Sequence, residues 1–325
     1  MKSLQFEIWQ ECNSRCKFCY LGDDNIKTPD SVKIKSMQEI YNKISDNSLY
    51  SGQNPIEILS YLGGEFFQGQ LNTPEIRNLF FDIMKKTADL FNSGMIKQVW
   101  IYATMTIGDQ KDLYEVLDLF DKSKKGLWVL TSYDTVGRFH TQKMLDTWIY
   151  NMKRIHKEYP LIEFNTTTIV SQDLIEKYLK DEYSPKKFME EFHTSLFFKQ
   201  CGGPPTIKEK LNNFFPRRKY MLKFLSKFYL TEGPELYDKL FNIKYRADDL
   251  YRNYNDGSIM YHIKRDKFSK KEEKPAEEYN DNPPLLPCGH LESYGYYDDP
   301  GECVFCDKKR ILSMYENSTK CLTHE

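Results

Sequence analysis

The sequence predicts an α/β protein built on a parallel sheet of six strands with helices outside it. Two observations carry this. Short apolar strands alternate with helical stretches through the first 200 residues, and a strand–helix–strand rhythm calls for crossover helices joining parallel strands. The chemically distinctive residues, three cysteines, a Gly-Gly-Glu and a Tyr-Asp, follow directly on strand ends. Parallel α/β sheets place their active-site loops at those C-terminal ends.

The elements run as follows. Residues 4–9 form the first strand, with Leu4, Phe6 and Ile8 on one face, and the cysteine loop follows it. A helix is expected over 36–45. The second strand, 56–62, leads into Gly63-Gly64-Glu65, and the next helix covers 73–91 with Pro74 in its first turn, where a missing N–H costs nothing. The third strand is 98–104, followed by a helix over 111–122. The fourth strand, 127–132, leads through a loop to a helix over 143–158. The fifth is 162–169, a short helix covers 173–181, and the sixth is 194–199.

Beyond residue 200 the pattern changes. Cys201-Gly-Gly-Pro-Pro205 reads as a rigid turn, and 214–230 as a basic, aromatic, amphipathic helix. The tyrosine-rich stretch 238–263 is expected to include short antiparallel strands. Residues 264–282, containing KKEEKPAEE, read as a linker or exposed loop. The expected division is 1–203, 204–282 and 283–325, the last a cysteine-rich metal-binding region.

Composition narrows the function classes. The 325 residues carry a formal net charge of -1, so no global field draws the chain to nucleic acid. No stretch of eighteen apolar residues is present, and no membrane span is expected. The start, MKSLQFEIWQECN, carries no apolar signal core, so the eight cysteines are expected in a reducing, cytoplasmic setting as metal-ligating thiolates. The 23 Tyr, 21 Phe and 4 Trp are mostly core, with some available for recognition.

The sharpest motif is Cys12-Asn-Ser-Arg-Cys16-Lys-Phe-Cys19. A structural zinc site needs four ligands, and no fourth thiol or imidazole is close in sequence. Three thiolates suit a cubane iron–sulfur cluster whose fourth iron stays open to a substrate or cofactor.

The C-x3-C-x2-C spacing, the aromatic Phe18 before the last cysteine, and Gly-Gly-Glu after the second strand together resemble the radical S-adenosylmethionine (SAM) superfamily. The resemblance implies a partial (β/α)6 barrel and a [4Fe-4S] cluster on Cys12, Cys16 and Cys19. It places Phe18 beside the adenine and Gly63, Gly64 and Glu65 against the methionine amino group. Ser132 of Ser132-Tyr-Asp134 resembles a serine that contacts the SAM ribose or carboxylate, or else it simply begins a loop. Lys143 or Arg138 is expected to neutralise the SAM carboxylate, and Asn165 to contact SAM or substrate. A one-electron reductant such as a flavodoxin or ferredoxin is implied, as is cleavage of SAM to a 5′-deoxyadenosyl radical that abstracts hydrogen. The chain does not resemble methylthiotransferases or glycyl-radical activases, whose additional cysteine segments it lacks.

Cys288-Gly-His290 with Cys303-Val-Phe-Cys306 has metal-site spacing. Three readings stay open. One is zinc on Cys288, His290, Cys303 and Cys306. Another is an auxiliary iron–sulfur cluster on Cys288, Cys303 and Cys306 with Cys321 or Cys201. The third is buried free cysteines. The second loosely resembles the C-terminal extensions of peptide-modifying members. A peptide or protein substrate is favoured, in an oxidoreductase or transferase reaction. A nucleotide, nucleic-acid base or other small molecule is the alternative, with Arg217, Arg218, Lys219, Lys223, Lys227 and Lys308-Lys309-Arg310 as candidate phosphate contacts. A non-catalytic iron–sulfur or zinc-binding scaffold is the alternative of a different class.

Overall fold

The structure is a computed structural model. It describes residues 3–16, 27–46, 49–50, 56–108, 110–134, 137–200, 218–233, 236 and 259–261. Its elements, in order, are β1 (Ser3–Glu7), α1 (Asp30–Ser45), β2 (Ile56–Leu62), α2 (Pro74–Asn92), β3 (Ile96–Tyr102), α3 (Lys111–Leu117), β4 (Leu127–Tyr133), α4 (Gln142–Glu158), β5 (Glu163–Val170), α5 (Gln172–Leu179), α6 (Pro185–Phe192), β6 (Thr194–Gln200), α7 (Arg218–Glu232) and β7 (Ile259–Tyr261).

The seven strands form one sheet in the order β6-β5-β4-β3-β2-β1-β7. β1 to β5 pair in parallel with their sequence neighbours. Sequential order with crossovers of one hand puts the crossover helices α1 to α4 on the same face and leaves the other face as the inside of a partial barrel. The expected six-stranded α/β architecture is present. Two details differ from expectation. β7 pairs with β1 in parallel, not antiparallel. α1 begins at Asp30 rather than at residue 36.

The two faces are chemically distinct. The helix-facing side carries Leu4, Phe6, Leu59, Tyr61, Val99, Ile101, Val129 and Phe164, all buried. Each such aliphatic or aromatic side chain contributes about 1.5–3 kcal/mol on burial. Tyr61 reaches α2 through its hydroxyl, 2.5 Å from Thr87 Oγ1, and Trp148 of α4 donates to Thr131 Oγ1 on β4 at 3.1 Å. On the inner side the register aligns Gln5, Ser60, Trp100, Trp128 and Glu163 in one rung, with Leu130 and Asn165 in the next. Polar and half-buried side chains concentrate there, which suits a wall facing a ligand cavity rather than a packed helix.

The helix starts follow capping chemistry. Thr73 and Thr141 accept from the N–H of Ile76 and Met144, each at 3.3 Å, at the heads of α2 and α4. α3 stops at Leu117, short of the expected residue 122. α6, which sequence reading did not separate from its surroundings, buries Phe188 and Phe192 against Trp148.

The chain divides into two compact units. The first comprises 1–168, 185–197 and 249–263, and holds the sheet up to the last residues of β5 and β6. The second comprises 169–184, 198–248 and 264–325. Within the second, Tyr178 of α5 packs on Phe224 and Phe228 of α7, with ring centroids 5.1 and 5.5 Å apart. Among the described residues no helix is long and apolar enough to cross a membrane.

Candidate active site

The cysteine loop leaves β1 and runs along the loop that follows β2. Ile8 N–H donates to Leu62 O at 3.0 Å, Gly64 N–H to Trp9 O at 2.9 Å and Glu65 N–H to Glu11 O at 2.9 Å. The parallel ladder thus continues past the ends of both strands and binds two motifs 50 residues apart into one edge. The glycines make this possible. A Cβ on Gly63 would lie 2.3 Å from Trp9 O, and one on Gly64 would lie 2.1 Å from Glu11 O. No other residue leaves room for that backbone approach.

Glu65 is 2% exposed. Its Oε1 accepts from Phe66 N–H and Phe67 N–H, both at 3.0 Å, and its Oε2 accepts from Thr104 N–H at 2.7 Å. Three charge-assisted bonds fold the chain after β2 and tie it to the end of β3. The Glu65 carbonyl accepts from Trp9 Nε1 at 2.8 Å. Trp9 in turn meets Phe66 edge-on at 5.3 Å, and Phe66 meets Phe80 of α2 at 5.7 Å. An aromatic wedge therefore fixes the Gly-Gly-Glu turn from below.

Gln68 forms a second hub. Its carbonyl accepts from Asn13 Nδ2 at 2.6 Å, and its Nε2 donates to Thr104 Oγ1 and, at 3.0 Å, to Thr106 Oγ1. Ser14 Oγ lies 3.4 Å from Gln68 Oε1. The cysteine loop, the β2–α2 loop and the β3–α3 loop are thereby joined through a single amide.

Cys12 and Cys16 are half-buried and not joined in a disulfide. Burial pushes the Cys12 thiol above its ordinary 9.0; the Ser14 backbone N–H that reaches it opposes the rise, and the Glu65 and Cys16 charges add to it. Such a thiol must release a proton to ligate a metal. Among the described residues no group of three or more His, Cys, Asp or Glu is placed to hold a metal ion. Cys19 and Phe18 lie outside the described residues, as do Cys201, Cys288, His290, Cys303, Cys306 and Cys321.

Lys33 of α1 is fully buried, and its Nζ is 2.7 Å from Glu11 Oε2, next in sequence to Cys12. It also stands over the Trp9 ring at 5.4 Å. No sequence motif marks this lysine. Its signal is positional, because Lys33, Met37, Ile40 and Ile44 share the buried stripe of α1.

The remaining candidates divide. Ser132 and Asn165 fall on the inner face, half-buried; Ser132 is near the C-terminal end of β4, whereas Asn165, paired with Leu130, is only the third residue of β5 and lies near that strand's start. Arg138 is half-buried in the loop after β4. That loop is folded by Asp134, whose carboxylate accepts from Gly137 N–H and whose carbonyl accepts from Phe139 N–H at 3.2 Å. Lys143 is exposed in the first turn of α4. In the second unit Lys227 is engaged with the C-terminal end of α5, donating to Tyr178 O and Leu179 O at 3.2 Å and pairing with Asp181 at 2.6 Å. Those bonds cap a helix end and take Lys227 away from phosphate recognition.

No family model matches the chain, and no curated protein matches it. Among solved structures it is similar to native anSMEcpe with bound AdoMet, at 19% identity and a TM-score of 0.48, over 79% of this chain and 68% of that one. It is likewise similar to native anSMEcpe with bound AdoMet and a Kp18Cys peptide, at 18% identity and a TM-score of 0.46, over 78% and 67% of the two chains. A third, the same protein with AdoMet and a Cp18Cys peptide, gives 18% and 0.47, over 78% and 66%. At these levels of likeness the functional assignment rests on the site itself.

Proposed function

We propose that the chain is a radical SAM enzyme acting on a peptide or protein. The observation that carries this is the ladder joining Trp9 and Glu11 to Gly64 and Glu65. It sets the chain leading into Cys12 and a glycine pair side by side at the C-terminal mouth of a parallel sheet, the position at which such folds do chemistry. A purely structural cluster has no need of that second motif.

The residues fit the group. Cys12 and Cys16 are half-buried, and the Ser14 backbone N–H works against the rise that burial gives the Cys12 thiol, as suits a metal-bound thiolate. Cys12, Cys16 and Cys19 would hold a [4Fe-4S] cluster. Given one electron from a flavodoxin- or ferredoxin-class donor, the cluster and SAM together supply reductive cleavage of the sulfonium S–C5′ bond, yielding methionine and a 5′-deoxyadenosyl radical that takes hydrogen from a substrate C–H.

The chain's own residues do the rest. Glu65 and Gln68 hold the loops rigid, so that a reacting carbon can be kept in position. Ser132, Asn165 and Arg138 offer polar groups to SAM or substrate, and Phe18 offers a face to the adenine. The inner rung of Trp100 and Trp128, 6.1 Å apart, supplies apolar wall that excludes water. The preference for a peptide rests on Ser132-Tyr-Asp134 and the cysteine-rich segment 283–325, in which zinc or an auxiliary cluster would sit on Cys288, Cys303 and Cys306 with His290 or a further cysteine. Segment 1–203 carries the SAM chemistry in this reading, and the setting is the reducing cytoplasm.

The test is anaerobic purification with iron, sulfide and zinc quantified, beside a variant with Cys12, Cys16 and Cys19 all changed to Ala. Loss of about four irons per chain in the variant supports the assignment. Iron absent from reconstituted wild type would sink it and favour a binding scaffold.

A further inference from the structure

His140 belongs to no motif, yet it bridges the two most distant parts of the site. Its Nε2 is 3.0 Å from Ser14 O and 3.0 Å from Arg15 O, more than 120 residues away in sequence. Both partners are carbonyl oxygens, so this nitrogen carries the proton and donates to both. The histidine is held firmly from behind. Phe139 is buried, with its ring 5.5 Å from Tyr133 and 6.0 Å from Trp148, and Thr141 caps α4.

The geometry of the turn gives the contact its meaning. A trans peptide sets each C=O opposite to the following N–H. Drawing the Ser14 and Arg15 carbonyls toward His140 therefore turns the N–H groups of Arg15 and Cys16 away from it. Arg15 sits at φ 47, a left-handed conformation that a residue with a Cβ keeps only when its surroundings impose it. The Ser14 hydroxyl lies 3.4 Å from both Gln68 Oε1 and Thr104 Oγ1, so the same turn is also tied to the loops after β2 and β3.

We propose that His140 is a positioning residue for the cysteine loop. It holds the Ser14–Cys16 turn so that successive backbone N–H groups are presented to sulfur. N–H···S bonds stabilise the more negative, reduced state of an iron–sulfur cluster, so this clamp raises its reduction potential. The inference rests on the radical SAM reading for its redox half; the clamp itself exists in the protein without metal.

Two variants test it: His140→Leu, which removes the donor, and His140→Gln, whose amide N–H can replace it. In the full-length apoprotein, amide hydrogen exchange over residues 13–16 should quicken about tenfold in the leucine variant, the size expected for losing two hydrogen bonds. The glutamine variant should stay near wild type. In reconstituted protein of equal iron content, the leucine variant should titrate at a more negative midpoint potential, with glutamine restoring it. Unchanged exchange and unchanged potential in His140→Leu, with iron at the wild-type level, overturn the proposal alone. Failure of reconstituted wild type to hold iron overturns the radical SAM reading and the redox half with it; unchanged exchange in the apoprotein would then overturn the clamp as well.

Discussion

Gly64→Ala tests the junction on which the site is built. The new Cβ would stand 2.1 Å from Glu11 O and 2.4 Å from Gln10 O, where 3.4 Å is ordinary contact. The strand end before Cys12 would have to retreat by roughly 1 Å, at a cost of about 1–3 kcal/mol for overpacking against backbone. That retreat also breaks the bonds from Gly64 N–H to Trp9 O and from Glu65 N–H to Glu11 O, each worth about 0.5–1.5 kcal/mol net. Lower entropy of the unfolded chain returns about 0.4–1 kcal/mol. The expected loss is about 2–5 kcal/mol, a large share of a stability of about 5–15 kcal/mol. Urea unfolding of the apoprotein measures it. Gly69→Ala is the control: Gly69 has φ +93 and nothing within 4 Å of an added Cβ, so it carries only the left-handed penalty of about 1–2 kcal/mol. If Gly64→Ala is no more destabilising than Gly69→Ala, the packing argument is wrong.

Three further outcomes are expected. Glu65→Gln keeps the shape but sets an NH2 against a backbone N–H, so it should lose about 1.5–3 kcal/mol; stability within 0.5 kcal/mol of wild type, roughly the spread of neutral surface changes, would contradict the three-bond account. Lys33→Met leaves Glu11 without its buried cation and should lose about 3 kcal/mol. Adding Glu11→Leu should restore much of that, and a double variant as unstable as the single one would refute the pairing. His156 stacks on His193 at 3.8 Å, and burial followed by the His193 charge holds it below its ordinary 6.5. The unfolded chain therefore takes up this proton first. Stability should fall as pH drops below 6.5 toward the depressed folded value, and His156→Gln should flatten that decline in thermal melts across the acid range; an unchanged pH profile would count against it.

Much of the architecture was legible because it depends on periodicity. The alternation of β1 to β6 with helices is written in apolar runs of strand length, and the ends of most elements fell within two residues of expectation. Local signals failed where tertiary context decided. α1 starts at Asp30, ahead of the expected residue 36, and its first buried position is Lys33, a residue that does not mark a buried helix face in sequence; Glu11 is what lets a lysine occupy it. β7 is three residues long, too short for any pattern to fix its direction. Cys12, Cys16 and the glycine pair stood out because their chemistry is confined to few residue types. Gln68, Lys33 and His140 did not, because an amide, a lysine and an imidazole become informative only once the fold shows which backbone groups they meet. Glu65 was visible as part of a motif, but not its three backbone partners.

The central claim is that this chain cleaves SAM at a cluster held by Cys12, Cys16 and Cys19. Its most direct test is the formation of 5′-deoxyadenosine from SAM by the anaerobically reconstituted, chemically reduced protein, measured beside the Cys12/Cys16/Cys19→Ala variant. The account predicts product from wild type and none from the variant. Iron-loaded wild type that leaves SAM intact, or a variant that cleaves it equally well, would contradict the claim.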